Sequence, residues 1–296
     1  MTPISILLVL LSAFFHALWN YYGKTSRSPQ IFFFWIGIFT GGVAIIAFAI
    51  RLPIVPRSVW IYIIGSGVVH FFYWFSLSHA YTLGEISYVY PIARSAPGFI
   101  PIFAILLLKE QISAQGIIGI FCIVFSIYLL QQRGGGLTLK ELIRYARQPD
   151  AVWAFSTLGT VVAYSLIDKA GMSNFHAHST QPPAWQAIIY YLVEGVIALI
   201  FYGLYIVFRF PWRELMEIGR REWRRIIATG SLAMTSYTLI LYAYMTEKVS
   251  YVVALRQISV IFAVLLGSYL LKESHAKLRF AAAAVIVIGV FLISTA

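Results

Sequence analysis

The stretch AYTLGEISYVYPIARSAPGFIPIFAILLLKE (residues 80–110) recurs in altered form as AYMTEKVSYVVALRQISVIFAVLLGSYLLKE (residues 243–273). The two stretches align without a gap at an offset of 163 residues. Both begin with Ala-Tyr, contain Ser-Tyr-Val and end with Leu-Lys-Glu. An earlier pair of segments also corresponds, since Trp19-Asn20 followed by Lys24 matches Tyr164-Ser165 followed by Lys169. The chain is therefore built from two related halves.

The residues around this repeat are too apolar for a water-soluble domain. Hydrophobic residues make up 60% of the 296-residue chain and charged residues only 11%, whereas a soluble domain carries about 25% charged residues. A helix that spans a bilayer needs about 20 mostly apolar residues. Ten such runs are predicted, at residues 3–22, 31–50, 58–80, 86–108, 112–131, 150–170, 184–208, 223–245, 250–271 and 277–295.

The repeat divides the ten spans into five and five. The predicted units are a first five-helix repeat (1–131), a linker with an amphipathic interfacial helix (132–149) and a second five-helix repeat (150–296). Longer loops at 171–183 and 209–222 are expected to absorb the difference in length between the halves. Because each half has an odd number of spans, the halves must be inverted relative to each other. The expected fold is an all-α integral membrane protein, and inverted repeats are typical of alternating-access transporters.

Several residues carry a likeness to a known family, namely Ser87-Tyr88-Val89-Tyr90-Pro91, Pro97, Leu107-Leu108-Lys109-Glu110 and Gly119, with counterparts at 250–252 and 271–273. This pattern resembles the drug/metabolite transporter superfamily, specifically its EamA-like members, over essentially the whole chain. The resemblance implies a central cavity lined by spans 1, 3, 4, 6, 8 and 9. Relatives with ten spans usually keep both termini in the cytoplasm. Most of the 22 Lys and Arg residues here follow odd-numbered spans, which places the termini outside, so both orientations remain open.

Charged residues inside the spans are costly, at about 2.5–3.5 kcal/mol each on insertion scales, and so each needs a reason. Arg94 and Arg256 enter from opposite faces and are expected to lie near the midplane, where they would clamp an anionic group or pair with carboxylates. Glu194 is expected to be the one deeply placed acid, as a coupling-proton carrier or as a counter-ion. Asp168 and Lys169 are expected to form a gate or a surface pair near a span end.

Other spans carry further candidates. Glu110 and Glu273, which end equivalent spans, are expected to tie a span end to neighbouring backbone. Span 4 is the expected bent gate, because prolines remove backbone hydrogen bonds. The predicted substrate-binding residues are Arg94, Arg256, Trp19, Asn20, Tyr88, Tyr90 and Tyr251, and the coupling or gating candidates are Glu194, His16, His70, His79, Pro91 and Pro97.

The predicted function is secondary transport of a small organic anion or an amino-acid-like zwitterion by alternating access. The alternatives are export of neutral or cationic aromatic compounds and, remotely, a membrane-embedded enzyme. No catalytic, metal or cofactor site is expected, and the lone pair His176 and His178 does not have metal-site spacing. The expected partners are a small-molecule substrate and the lipid of the cell membrane, without nucleic acid. A monomer would suffice, although a dimer is possible.

Overall fold

A computed structural model describes residues 1–83, 92, 95–131, 151–259 and 276–296. In these residues the regular structure is helical, and one 3₁₀ turn at Arg57–Val59 precedes α3. The linker predicted at 132–149 lies outside the described residues. The helices are α1 (Pro3–Lys24), α2 (Pro29–Ile50), α3 (Trp60–Leu83), α4 (Ala96–Leu108), α5 (Ala114–Gln131), α6 (Ala151–His178), α7 (Pro183–Arg209), α8 (Trp212–Tyr244), α9 (Val249–Arg256) and α10 (Ala276–Ser294).

Six of these helices are long and apolar enough to cross a membrane, namely α1, α2, α3, α6, α7 and α8. Shorter apolar helices lie at Ala96–Leu108, Ala114–Ser126 and Ala284–Ser294. Their starts follow from local chemistry. Pro3 and Pro183, for example, stand in first turns, where a missing N–H costs nothing. Each described helix falls on one of the ten spans that the sequence predicts.

The packing of the helices follows the internal repeat. α1 packs along α8, and its repeat counterpart α6 packs along α3, the counterpart of α8. The pairs α2–α7 and α5–α10 each join a helix to its own counterpart. Exchanging the halves therefore maps these helix pairs onto one another. The protein is an all-α integral membrane protein whose ten transmembrane helices form two inverted five-helix repeats.

Two glycines allow α5 and α10 to approach closely. A β-carbon added at Gly119 would lie 2.9 Å from the carbonyl oxygen of Gly289, and one added at Gly289 would lie 2.8 Å from the carbonyl oxygen of Gly119. Neither contact is tolerated between a real β-carbon and a backbone oxygen. Glycine at both positions is therefore a packing requirement of this helix pair.

Glu110 ties the end of α4 to neighbouring backbone, as expected from the sequence, and because that backbone belongs to α9 it also joins the two halves. The chain leaves α4 through Lys109, which has the left-handed backbone conformation (φ 54°). Glu110 then accepts hydrogen bonds from the backbone N–H of Val249 at 2.6 Å and the hydroxyl of Ser250 at 2.8 Å, at the first residues of α9. Its carboxylate therefore caps the N-terminus of α9. Glu273 lies outside the described residues.

Two boundaries differ from the sequence prediction. α6 continues to His178, so most of the loop expected at 171–183 is helix, and Pro182 and Pro183 stand just beyond its end. α8 begins at Trp212 rather than at residue 223, because the basic segment before the apolar run continues the same helix. These extensions place residues near the predicted ends deeper inside the helices.

Candidate functional site

A cavity of about 70 Å³ lies between the two halves. Side chains from α1, α2, α3, α6, α7, α8 and α9 line it, and aromatic residues predominate. A water needs about 10–15 Å³ of such space, so the cavity has room for several waters or a small polar group. Its aromatic wall consists of Phe33, Trp19, Tyr73, Trp74, Tyr164, Tyr191 and Tyr237.

Arg256, the last residue of α9, brings a positive charge to this cavity. Its Nη2 donates to Nδ1 of His16 at 3.0 Å, and Trp19 Nε1 donates to the same nitrogen at 3.1 Å. Arginine and tryptophan have only donors, so Nδ1 of His16 is an acceptor. The guanidinium also lies 5.3 Å from the ring centre of Tyr237. Among the described residues no carboxylate lies within salt-bridge distance of Arg256, and its Nε has no hydrogen-bond partner.

A second, smaller cavity of about 40 Å³ adjoins the first, and His16 and Arg256 line both. Asn20 and Tyr81 line the second cavity alone, in the last turns of α1 and α3. Asn20 donates to the carbonyl of His16 at 2.8 Å and accepts from the Tyr81 hydroxyl at 3.4 Å. Arg256 therefore lies between the central cavity and the end where α1 and α3 finish.

Glu194 lies in the wall of the first cavity and is 2% exposed. Its Oε2 accepts from the hydroxyl of Ser66 at 2.8 Å and lies 3.9 Å from Nδ1 of His70. That nitrogen is also 3.1 Å from the carbonyl oxygen of Ser66. The oxygen of Glu194 thus has contacts to α3, and Glu194 is not the counter-ion of Arg256.

Asp168 is fully buried, so the prediction that it forms a surface pair with Lys169 is wrong, and the alternative of a gate stays a prediction. Since α6 continues ten residues beyond it, Asp168 lies well inside the helix. Its carboxylate accepts from Tyr190 at 3.2 Å and from Tyr237. Lys169 points elsewhere, and donates at 2.7 Å to the carbonyl of Tyr244 at the end of α8. The sequence had suggested that Glu194 is the one deeply placed acid, and this is wrong because Asp168 is buried as well.

Asp168, Glu194 and His70 form one cluster, with one oxygen or nitrogen of each within 4.8 Å of the others. Such spacing would admit a cation. The neighbours, however, are the hydroxyls of Tyr190, Tyr237 and Ser66, whose hydrogens point towards the carboxylates. A cation would have to compete with these donors. The surroundings suit a proton better than a metal ion.

Two predicted site residues lie away from the cavities. His79 lies against the ring of Trp153, with ring centres 4.6 Å apart, and its Nδ1 is 2.7 Å from the carbonyl oxygen of Phe75. Tyr251, a residue of α9, is buried against α5, and its hydroxyl contacts Ser113 at 3.3 Å. Both are packing residues in this structure.

The prolines and the other arginine are only partly described. Pro97 stands in the first turn of α4, where it interrupts no helical hydrogen bond, and Pro101 lies inside that helix. Arg94, Tyr88, Tyr90 and Pro91 lie outside the described residues. The paired-arginine clamp and the bent gate in span 4 therefore remain predictions. The structure brings together Arg256, Trp19, His16, His70 and Glu194 on one cavity, with Asn20 on the adjoining one.

Comparison with known proteins agrees with this architecture. The model of the EamA-like transporter family matches residues 3–131 and 151–295. No curated protein sequence matches the chain. One solved crystal structure of a protein has a TM-score of 0.71 over 99% of this chain and 96% of its own, at 20% identity, which shows a shared fold. The family match covers both five-helix repeats, and the chain belongs to the EamA-like transporter family, whose members are membrane transporters.

Proposed function

We propose that the protein is a secondary transporter that binds the carboxylate of a small organic anion or amino-acid-like zwitterion at Arg256. The observation that supports this most directly is that Arg256 has no carboxylate partner among the described residues. It carries a full charge into an aromatic cavity, and no described carboxylate neutralises it. Arg256 is half-buried and its Nε is withdrawn from solvent, and a charge that is partly removed from water without a counter-ion is destabilising, so an anionic ligand is the expected partner.

The hydrogen-bond geometry supports a carboxylate in particular. His16 occupies only one donor of the guanidinium, and Nε–H has no partner among the described residues. Guanidinium groups bind carboxylates through parallel donors, with higher specificity than a lysine would give. Trp19 and Asn20 hold the helix turn around His16 and so keep the guanidinium in position.

The cavity walls suit the rest of such a molecule. Aromatic rings such as Tyr73 and Tyr164 offer apolar faces for a carbon skeleton and hydroxyls for polar groups. Glu194 in the same cavity could accept an ammonium group, which suits a zwitterion. The inverted repeats supply two related halves around this site, as alternating access requires.

The rival function, export of neutral or cationic aromatic compounds, also has support. Aromatic rings predominate in the cavity lining that also contains Glu194, so an aromatic cation could bind near that carboxylate. This alternative function requires that Arg256 have only a structural role, in which it joins α1, α8 and α9. A membrane-embedded enzyme has less support, because the family consists of transporters.

A thermal-stability screen of the purified protein in detergent separates these functions. Metabolites are grouped as anions, zwitterions, neutral aromatics and cations. A ligand at one hundred times its dissociation constant stabilises the folded state by about 2.7 kcal/mol, which is readily detected. The screen is repeated with Arg256→Gln and Arg256→Lys, and with Arg209→Gln as a control. Arg209 is an exposed arginine at the end of α7, so the control removes the same charge outside the cavity.

We expect anions or zwitterions to stabilise the wild type and the Arg209→Gln variant. The Arg256→Gln variant should lose this response, and Arg256→Lys should retain a weaker one because lysine lacks the bidentate geometry. If only neutral or cationic aromatics stabilise the wild type, or if Arg256→Gln responds to anions as the wild type does, the proposal is wrong.

A further inference from the structure

We infer that Asp168 and Glu194 share a proton, and that this buried carboxyl pair is the site of the coupling ion. The inference rests on the proposed transport function for its meaning, but its structural basis is independent of Arg256. Asp168 lies on α6 and Glu194 on α7, and their oxygens lie within 4.8 Å of each other and of a nitrogen of His70. Asp168 is 0% exposed and Glu194 is 2% exposed.

The hydrogen-bond partners of the pair do not neutralise two negative charges. Asp168 accepts from the hydroxyls of Tyr190 and Tyr237, and Glu194 accepts from the hydroxyl of Ser66. Among the described residues no lysine or arginine nitrogen lies within salt-bridge distance of either carboxylate. Two adjacent ionised carboxylates in an apolar, buried site repel each other and lack solvation. A shared proton removes one charge and supplies a donor between them.

Charged and titratable side chains on the helices around the pair affect how readily the two carboxyl groups ionise. His70 on α3 is the nearest base, and the carbonyl oxygen of Ser66 can accept its Nδ1–H while the ring stays neutral. Arg256 on α9, at the far side of Tyr237, is the cation of the same cavity. Lys169 is turned towards the end of α8. Among the described residues, the other titratable side chains near the pair are the phenols of Tyr73 on α3, Tyr164 on α6, Tyr191 on α7, and Tyr237 and Tyr244 on α8, and the imidazole of His16 on α1.

Tyr237 connects the proton site to the proposed substrate site. Its hydroxyl donates to Asp168, and its ring lies under the guanidinium of Arg256. With a proton on the pair, Arg256 is left to attract a substrate carboxylate. When the proton leaves, the second negative charge of the pair competes for Arg256. Proton and carboxylate are therefore expected to bind together, which couples the two in transport.

Infrared difference spectroscopy on the purified protein tests the shared proton without any substrate. A protonated carboxyl has a carbonyl stretch that a carboxylate lacks. The chain contains only two aspartates, Asp150 and Asp168, so carboxyl-¹³C aspartate labelling reports on two groups, and Asp150→Asn separates them. Spectra are recorded across neutral pH for the wild type, Asp168→Asn, Glu194→Gln and the control Glu222→Gln. Glu222 is a buried carboxylate that pairs with Arg225 at 3.0 Å.

We expect a protonated-carboxyl band in the wild type at neutral pH that disappears on alkaline titration. The band should be altered or lost in Asp168→Asn and in Glu194→Gln, and unchanged in Glu222→Gln. If a variant does not fold, the isotope shift in the wild type still shows whether the proton resides on aspartate or glutamate. Three results would overturn the proposal. The wild type could lack such a band, or the band could be unchanged in both Asp168→Asn and Glu194→Gln. The band could also respond to Na⁺ or divalent cations instead of to pH. Because no substrate is added, failure here leaves the Arg256 site unaffected, and failure of the Arg256 screen leaves the carboxyl pair unaffected.

Discussion

Replacing Glu110 by alanine tests the contact that fixes α9, and with it Arg256. The carboxylate accepts from the N–H of Val249 at 2.6 Å and the hydroxyl of Ser250 at 2.8 Å, and both residues are fully buried. Loss of a helix cap costs about 1 kcal/mol, and a buried donor without an acceptor costs about 1–3 kcal/mol. Glu110 is partly exposed, so water replaces some of what is lost. We therefore expect Glu110→Ala to lower the free energy of unfolding by about 2 kcal/mol.

The assay is reversible unfolding of the detergent-solubilised protein by titration with a denaturing detergent. Glu110→Gln keeps one acceptor oxygen and should recover about half of the loss. Glu217→Ala is the control, because its pair with Arg221 at 3.2 Å is exposed and is worth at most about 1 kcal/mol. Equal stability of Glu110→Ala and Glu217→Ala would refute the capping role. Because Arg256 ends the helix that Glu110 caps, Glu110→Ala should also weaken anion binding.

Substitutions at three further positions, Gly119, Lys109 and Tyr237, test the packing and the proposed coupling. Gly119→Ala should lower the free energy of unfolding by about 1–3 kcal/mol through overpacking. Gly42→Ala is the control, because a β-carbon at Gly42 meets no atom within 4 Å and should cost no such penalty. Equal effects of the two variants in unfolding titrations would contradict the close approach of α5 and α10. Lys109→Gly should leave stability unchanged or slightly raised, and Lys109→Val should lower it by more than about 1 kcal/mol because a β-branched residue resists positive φ. Tyr237→Phe should keep anion binding but lose most of its dependence on pH, because the hydroxyl that contacts Asp168 is gone. Anion-induced stabilisation measured at several pH values checks this, and an unchanged dependence would argue against a link through Tyr237.

Most of the fold could be predicted from the sequence because lipid imposes a simple rule. A spanning helix needs a long apolar run, and ten such runs are visible without any knowledge of tertiary contacts. The ungapped repeat then showed that the chain has two related halves. Because each half has five spans, an odd number, the two halves must be inverted relative to each other. The extension of α6 was missed because residues 171–178 are polar, although no proline or glycine pair interrupts them before Pro182.

The site was less predictable, since its contacts join residues far apart in the chain. Arg256 was recognisable because a charge inside a span demands a reason, but His16 is 240 positions away. Asp168 was misplaced because the end of its helix was misplaced. Tyr251 was selected because it lies near Arg256 in the sequence. Residues five positions apart on a helix point about 140° away from each other, and the tyrosine hydroxyl contacts Ser113. The sequence thus showed which charged residues lie within the spans, but not the surfaces that their neighbours face.

The packing also indicates how the two proposed sites could act on each other. α1 packs with α8 and α9, and its repeat counterpart α6 packs with α3 and α4, the counterparts of α8 and α9. These two sets are equivalent groups of three helices, and each contains helices from both halves. Arg256, His16 and Tyr237 belong to the first group, and Asp168 and Ser66 to the second. The hydrogen bond from Tyr237 to Asp168 therefore crosses between the groups. If the groups move relative to each other during alternating access, this bond must change, and the change would reach the proton of the carboxyl pair and the cation of the substrate site at the same time.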